Sequence, residues 1–167
     1  MLFTTSRKYL SAIAVVLLLT SIIRKPVEPI HTIETIFFKI HHEPFSEDLL
    51  IEAIKEFKLD HPHVVLAQAK LETGHFTSSI FLENNNLFGM KVARARPTTA
   101  IGSHRGHAVY RSWRESLIDY LLYSAYYVKS KEEEEFYNHL ENNYAEDPIY
   151  TSKLKQVVSN EELVTLF

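Results

Sequence analysis

The residues best suited to chemistry lie between His63 and Lys91, in HVVLAQAKLETGHFTSSIFLENNNLFGMK. Glu72 stands near the end of a short apolar segment, and Gly74 follows almost at once. An asparagine run, Asn84-Asn85-Asn86, then leads into Leu87-Phe88-Gly89. A carboxylate in the last turn of a helix faces the negative end of the dipole, which disfavours its charged form by roughly 0.3–1 kcal/mol. Burial against Phe76, Phe81 or Phe88 would raise its pKa further, because desolvation penalises the anion. A carboxyl that keeps its proton near neutral pH is suited to general acid catalysis. For an arbitrary glutamate, a solvated helix position with no role is the commoner outcome, so the surrounding pattern has to carry the assignment.

The elements around it must hold Glu72 in place. Pro62 suits the first turn of its helix, where a fixed φ and a missing N–H cost nothing. Val65, Leu66, Ala69 and Leu71 give that helix a buried stripe, and Gly74 is a natural left-handed terminator. Ser46, with Glu47 and Asp48 after it, caps a preceding helix carrying Leu49, Leu50, Ala53, Ile54 and Phe57. The stretch 91–110 holds Pro97, Gly102 and Gly106 without helical period, and is expected to form a hairpin or a short three-stranded lobe. Ser112-Trp113-Arg114-Glu115 is the pattern of a capping box opening a long helix, with Trp113, Leu117, Leu121, Ser124 and Val128 on one face. A shorter helix with an acidic start follows over 131–143. Asp147-Pro148 is the expected start of the next, carrying Tyr150, Leu154 and Val157. Ser159 to Glu162 is a second candidate capping box.

Four blocks in order, AQAKLETGHF, NNLFGMK, VYRSWRESLIDY and YAEDPIYTSKL, resemble those of the bacterial glucosaminidase domain, glycoside hydrolase family 73. The resemblance covers residues 46–167, and its first block is also similar to lysozyme-like transglycosylases. It implies a mainly α, lysozyme-like helical domain with a small β-hairpin lobe, and hydrolysis of the β-1,4 bond after N-acetylglucosamine in peptidoglycan. It places the catalytic acid at Glu72 and a functional tyrosine at Tyr144. Asn85, Asn86 and Phe88 become candidates for the cleft, amides bonding sugar hydroxyls and the ring stacking or bracing. The plainer reading of the asparagines is a tight turn in which they tolerate left-handed backbone.

Glycoside hydrolysis usually employs two carboxylates. Many members of the family carry an acid in the β-lobe, whereas residues 91–114 contain none. They hold Lys91, Arg94, Arg96, Arg105, Arg111 and Arg114 instead, a run that suits an anionic polymer or is simply a solvated face. Three explanations stand: the substrate's own acetamido group acts as nucleophile, Asp147 or Glu83 approaches from elsewhere, or the domain binds glycan without cutting it. The first is favoured, with Glu72 protonating the leaving oxygen and Tyr144 hydrogen-bonding the acetamido group. The rivals are a muramidase or lytic transglycosylase and an inactive wall-binding module.

With 167 residues the chain has room for one domain and an appendage. Net charge of −3 gives no global field for nucleic acid. The absence of cysteine excludes disulfides, thiolate metal sites and cysteine nucleophiles. Nine histidines cluster only as His41-His42, His61-x-His63 and His104-x-x-His107, without a zinc-binding HExxH helix, so neither metal nor cofactor is expected. Near the N-terminus, residues 9–23 are almost wholly apolar, with Arg7 and Lys8 before them and Arg24-Lys25 after. The expectation is an N-terminal hydrophobic helix over 1–25, retained as a membrane anchor in preference to a cleaved export signal. Residues 26–45 are then a linker, in which Ile33–Ile40 is an apolar, β-prone run. Such a chain would sit in the cell envelope with its domain outside the cytoplasmic membrane, or be secreted if the segment is cut.

Overall fold

The computed structural model describes residues 31–167. The expected N-terminal helix over 1–25 lies outside them. Two compact units divide after Phe37, and the second, Phe38–Phe167, carries everything that follows. Its elements are mostly helical, with one small sheet: α1 (His31–His42, which begins before the division), α2 (Glu47–Glu56), α3 (Pro62–Thr73), α4 (Ser79–Asn84), β1 (Gly102–His104), β2 (His107–Val109), α5 (Trp113–Tyr127), α6 (Glu133–Asn143) and α7 (Tyr150–Asn160), closed by a 3-10 turn at Leu163–Leu166. No helix among the described residues is long and apolar enough to cross a membrane.

Helix α3 is the centre. It is buried nearly all round, from Val64 through Lys70 and again at Thr73, in place of the single stripe read from its spacing. It packs against α2, α7 and the 3-10 turn. Because α3 is enclosed, its one cation must be paired: Lys70 Nζ meets Glu47 Oε1 at 2.6 Å and Glu161 Oε2 at 2.7 Å. That triad ties the start of α2 and the end of α7 to the helix that carries Glu72. Two serine caps form as expected, Ser46 Oγ accepting from Leu49 N at 3.2 Å and Ser112 Oγ from Glu115 N at 3.3 Å. In the second, the glutamate returns to the N–H of Arg111, not of Ser112, at 2.8 Å.

The stretch 33–40 is helical, not extended. Glu34 in the first turn and Lys39, His41 and His42 in the last complement the dipole of α1. The end of the expected linker is pinned to α5: Ser112 Oγ donates to the carbonyl of Ile40, and Trp113 Nε1 donates to that of Glu43 at 3.0 Å. Helix α7 starts two residues later than Asp147-Pro148 suggests. Asp147 instead accepts from Ile149 N at 3.0 Å in the turn before it. The second capping box does not form, since Ser159 lies inside α7 and Glu162 precedes the 3-10 turn with left-handed backbone and no side-chain cap.

The β-lobe is a two-stranded hairpin, with Gly102 opposite Val109 and His104 opposite His107. Arg105 and Gly106 both take positive φ, 53° and 81°, which gives the turn the twist a two-residue hairpin loop requires. The segment before it is held to α5 by Arg96 and Asp119, both buried and paired at 2.8 and 3.2 Å. Tyr110 Oη donates to the same carboxylate at 2.8 Å, and Thr99 N at 3.3 Å. Burial alone would raise the Asp119 pKa, but the Arg96 guanidinium and the Thr98 and Tyr110 hydroxyls outweigh it and hold the carboxyl below its usual range. A depressed folded pKa means the contribution is complete above about pH 4 and is lost as pH falls through the folded value. The resistance of wild type to urea should therefore fall below about pH 4. Asp119→Ala should cost about 3–5 kcal/mol at pH 7 by stranding a buried guanidinium, with a shallower loss on acidification than wild type.

Candidate active site

Glu72 sits in the last turn of α3, partly buried, and Gly74 ends the helix with φ 54°. The chain then keeps left-handed backbone at His75 (φ 56°) and Phe76 (φ 65°). Successive left-handed non-glycine residues cost roughly 1–2 kcal/mol each and persist only when their surroundings enforce them. Here Thr73 enforces them: its carbonyl accepts from Thr77 N at 3.0 Å and Ser78 N at 2.8 Å, and its hydroxyl accepts from Phe76 N at 2.8 Å. Phe76 and Phe81 pack with Phe45, ring centroids 4.8 Å from it in each case. They do not line the groove beside Glu72, whereas Phe88 does.

That groove has a volume of about 620 Å³, within the range of small-ligand sites. Its walls come from the Phe88–Ala93 strip, Arg96, Tyr123 and Tyr127 of α5, the Asn143–Asp147 turn and Tyr150. Tyr150 Oη donates to Glu72 Oε1 at 2.7 Å and accepts from Gln68 Nε2 at 3.3 Å. Gln68 Oε1 in turn accepts from Tyr120 Oη. Glu72 is thus the groove-facing end of a buried polar chain that runs through Tyr150 and Gln68 to Tyr120. On its other side Gly89 (φ +63°) comes so close that a Cβ there would lie 3.0 Å from Glu72 Oε2. Burial pushes the Glu72 pKa upward, and the Tyr150 hydrogen bond and the charge of nearby His107 only partly oppose it.

The other sequence candidates fall in different places. Tyr144 caps the end of α6 and lines the groove, its ring 6.0 Å from that of Tyr150. Its hydroxyl donates to the Phe88 carbonyl, not to Glu72, and burial holds its pKa well above the usual tyrosine value. Phe88 is buried and stacked on Tyr120, centroids 4.2 Å apart. Asn86 is 1 % exposed and fully committed: Nδ2 donates to Met90 O and Ala108 O at 2.9 Å each, and Oδ1 accepts from Phe88 N at 3.3 Å and Met90 N at 3.1 Å. Asn85 takes left-handed backbone (φ 52°), and its Nδ2 donates to Tyr110 O at 3.0 Å and Arg111 O at 3.3 Å. Neither asparagine lines the groove. They staple the loop to the hairpin, and so set where Gly89 stands against Glu72.

Of the acids considered as a second group, Asp147 lines the groove together with Glu146. Asp147 is bound to Lys153 at 2.6 Å, which, with the backbone N–H of Ile149, lowers its pKa. Glu83 lies apart, near Arg105 and His104 at 3.7 and 3.6 Å. The histidine pairs divide similarly: His61 and His63 both approach Glu133, at 3.7 and 3.1 Å, while His107 Nδ1 bonds Gly89 O at 3.0 Å. Among the described residues, no group of three or more histidines and acids is placed to hold a metal ion. Sequence reasoning assigned Tyr150 only to the apolar side of its helix. Its place two residues past Asp147-Pro148 was visible, but a bond to a residue 78 positions away has no local signal.

Asn86→Ala should lower stability by about 3 kcal/mol, because it strands the N–H groups of Phe88 and Met90 and the Ala108 carbonyl, while Met90 O keeps its bond from Ala108 N. Asn85→Ala should cost about 1 kcal/mol. Denaturant titration of the two variants checks the difference, and equal, negligible losses would show that the loop is not held this way.

A family model described as Glucosaminidase, mannosyl-glycoprotein endo-beta-N-acetylglucosaminidase, matches residues 47–163. Protein bax of Escherichia coli (strain K12) is 40% identical over 58 residues, 35% of this chain and 21% of the relative, so the match spans about a fifth of that protein. The catalytic domain of the autolysin Auto from Listeria monocytogenes superposes with a TM-score of 0.51 at 22% identity, covering 86% of this chain and 100% of that domain. At that identity the likeness concerns the fold.

Proposed function

The chain belongs to the glucosaminidase family, and from that premise we propose that it is a peptidoglycan hydrolase cutting the β-1,4 bond after N-acetylglucosamine, with Glu72 as general acid. The observation that carries this reading is the Glu72 carboxyl itself. It is partly desolvated, has its pKa raised, is held by Tyr150 and faces a groove of about 620 Å³. A glycan chain laid along the groove would bring a glycosidic oxygen to that proton.

The step balances without a second protein nucleophile. Glu72 gives its proton to the departing glycosidic oxygen as the C1–O bond breaks, and the acetamido carbonyl oxygen of the same sugar closes on C1 to form a bicyclic intermediate. Water then attacks C1, gives its proton to the Glu72 carboxylate, and the acetamido group is released. Tyr150 suits both halves, because its hydroxyl steadies the carboxylate formed in the first. Tyr144 Oη donates its hydrogen bond to the Phe88 carbonyl, and its lone pairs remain to accept one from the acetamido N–H. Phe88 braces the wall through its stacking on Tyr120, whereas the contributions of Asn85 and Asn86 run through the loop they fix. The same reading would have the domain in the cell envelope outside the cytoplasmic membrane, anchored by residues 1–25, or secreted if that segment is cleaved.

Purified full-length protein acting on sacculi should release reducing N-acetylglucosamine ends, read by mass spectrometry after borohydride labelling. Glu72→Gln should lose about 10²–10⁴-fold in rate while still sedimenting with sacculi. Muramic-acid reducing ends or anhydro ends would replace this reading with a muramidase or a lytic transglycosylase. Undiminished release by Glu72→Gln would remove Glu72 from the chemistry.

A further inference from the structure

Six cations lie between Lys91 and Arg114, and four of them meet acids: Arg96 with Asp119, Arg105 with Glu83, Arg111 with Glu115 and Arg114 with Glu43. The remaining two, Lys91 and Arg94, are exposed and make no ion pair with any described residue. They border one recess of about 580 Å³ on the hairpin, whose other walls are Val92, Gly102, Ser103 and Gly106. No acid lines it. A Cβ on Gly102 or Gly106 would meet nothing within 4 Å, so the glycines leave its surface clear. Lys91 and Val92 also line the Glu72 groove, so recess and groove adjoin.

We propose that Lys91 and Arg94 form a subsite for the carboxylates carried as side substituents by the glycan strand, those of the stem peptides next to the bond being cut or, where a peptide has been removed, of the bare lactyl group. This rests on the peptidoglycan reading of the groove. The argument is one of subtraction. A basic run whose charges were all matched internally would be structural, but here four are matched, Arg96 at the groove wall among them, while unmatched Lys91 lines the groove and unmatched Arg94 lines the recess adjoining it. Arginine presents a fork that fits a carboxylate, and lysine adds a mobile point charge. Both are solvated, so they contribute mainly to capture and orientation, with a strength that salt reduces.

The test compares wild type with Lys91→Ala/Arg94→Ala, both full-length, on native sacculi and on sacculi whose carboxyls have been converted to amides with carbodiimide and ammonium. Amidation should lower wild-type kcat/KM about tenfold at low salt, and the double variant less than about twofold. High salt should erase the wild-type preference. Lys91→Arg/Arg94→Lys should keep it, which separates lost charge from lost folding. Co-sedimentation with the two kinds of sacculi reads the same ratio without any cleavage. A protein that binds charge-selectively through Lys91 and Arg94 but releases no ends would therefore overturn the hydrolase reading and support the subsite. A double variant that discriminates as strongly as wild type would overturn the subsite and leave the Glu72 chemistry intact.

Discussion

The two oxygens of one carboxyl set the terms for the whole domain. Glu72 Oε1 accepts a hydrogen bond from Tyr150 on α7, and Oε2 faces Gly89, where a Cβ would come within 3.0 Å of it and the φ of +63° favours glycine. These contacts come from stretches that are distant in sequence, so α3, α7 and the loop after α4 must be positioned together. Burial of the carboxyl favours its neutral form, and the tyrosine limits how far that goes. A fully solvated glutamate would give up its proton too early in the pH range, while one buried without a donor would not stabilise the anion left after proton transfer. The observed arrangement lies between those limits.

Buried polar groups help to fix that relation, alongside the apolar core that packs the same helices. Lys70, two residues before Glu72, holds α3 against both α2 and α7. Asn84, Asn85 and Asn86 fasten the loop to the hairpin, Asn84 bonding His104 through both backbone and side chain. Arg96 and Asp119 hold the segment before the hairpin to α5. Such networks rigidify when every member is satisfied and are costly when one is missing. The parts that border the groove are therefore placed by directional bonds, which suits a site where a displacement of one ångström matters.

What the sequence disclosed was local in origin. Glu72, the left-handed Gly74, Pro62 in the first turn, and the Ser46 and Ser112 caps depend on neighbours within four residues, and all are found at those positions. Relations spanning tens of residues left no such trace. Tyr150 was read only as one of the residues carrying its helix, Asn86 as a candidate for the cleft, and the basic run as an anion-binding or solvated face, without the partners Asp119, Glu83, Glu115 and Glu43 that the fold brings to four of its charges. The Ile33–Ile40 run failed for a different reason. Intrinsic β-propensity is easily overridden, and here Glu34 at the start of the stretch and Lys39, His41 and His42 at its end suit the dipole of a helix.

The central claim is that Glu72 acts as a proton donor whose affinity for the proton is balanced by burial and by Tyr150. The pH dependence of kcat/KM on sacculi, for wild type and Tyr150→Phe, tests it most directly. Removing the hydroxyl takes away a bond that favours the anion, so the Glu72 pKa must rise. The account requires the limb on which activity falls with increasing pH to move to higher pH in Tyr150→Phe, with a lower plateau rate. An unmoved limb, or one displaced to lower pH, would contradict it.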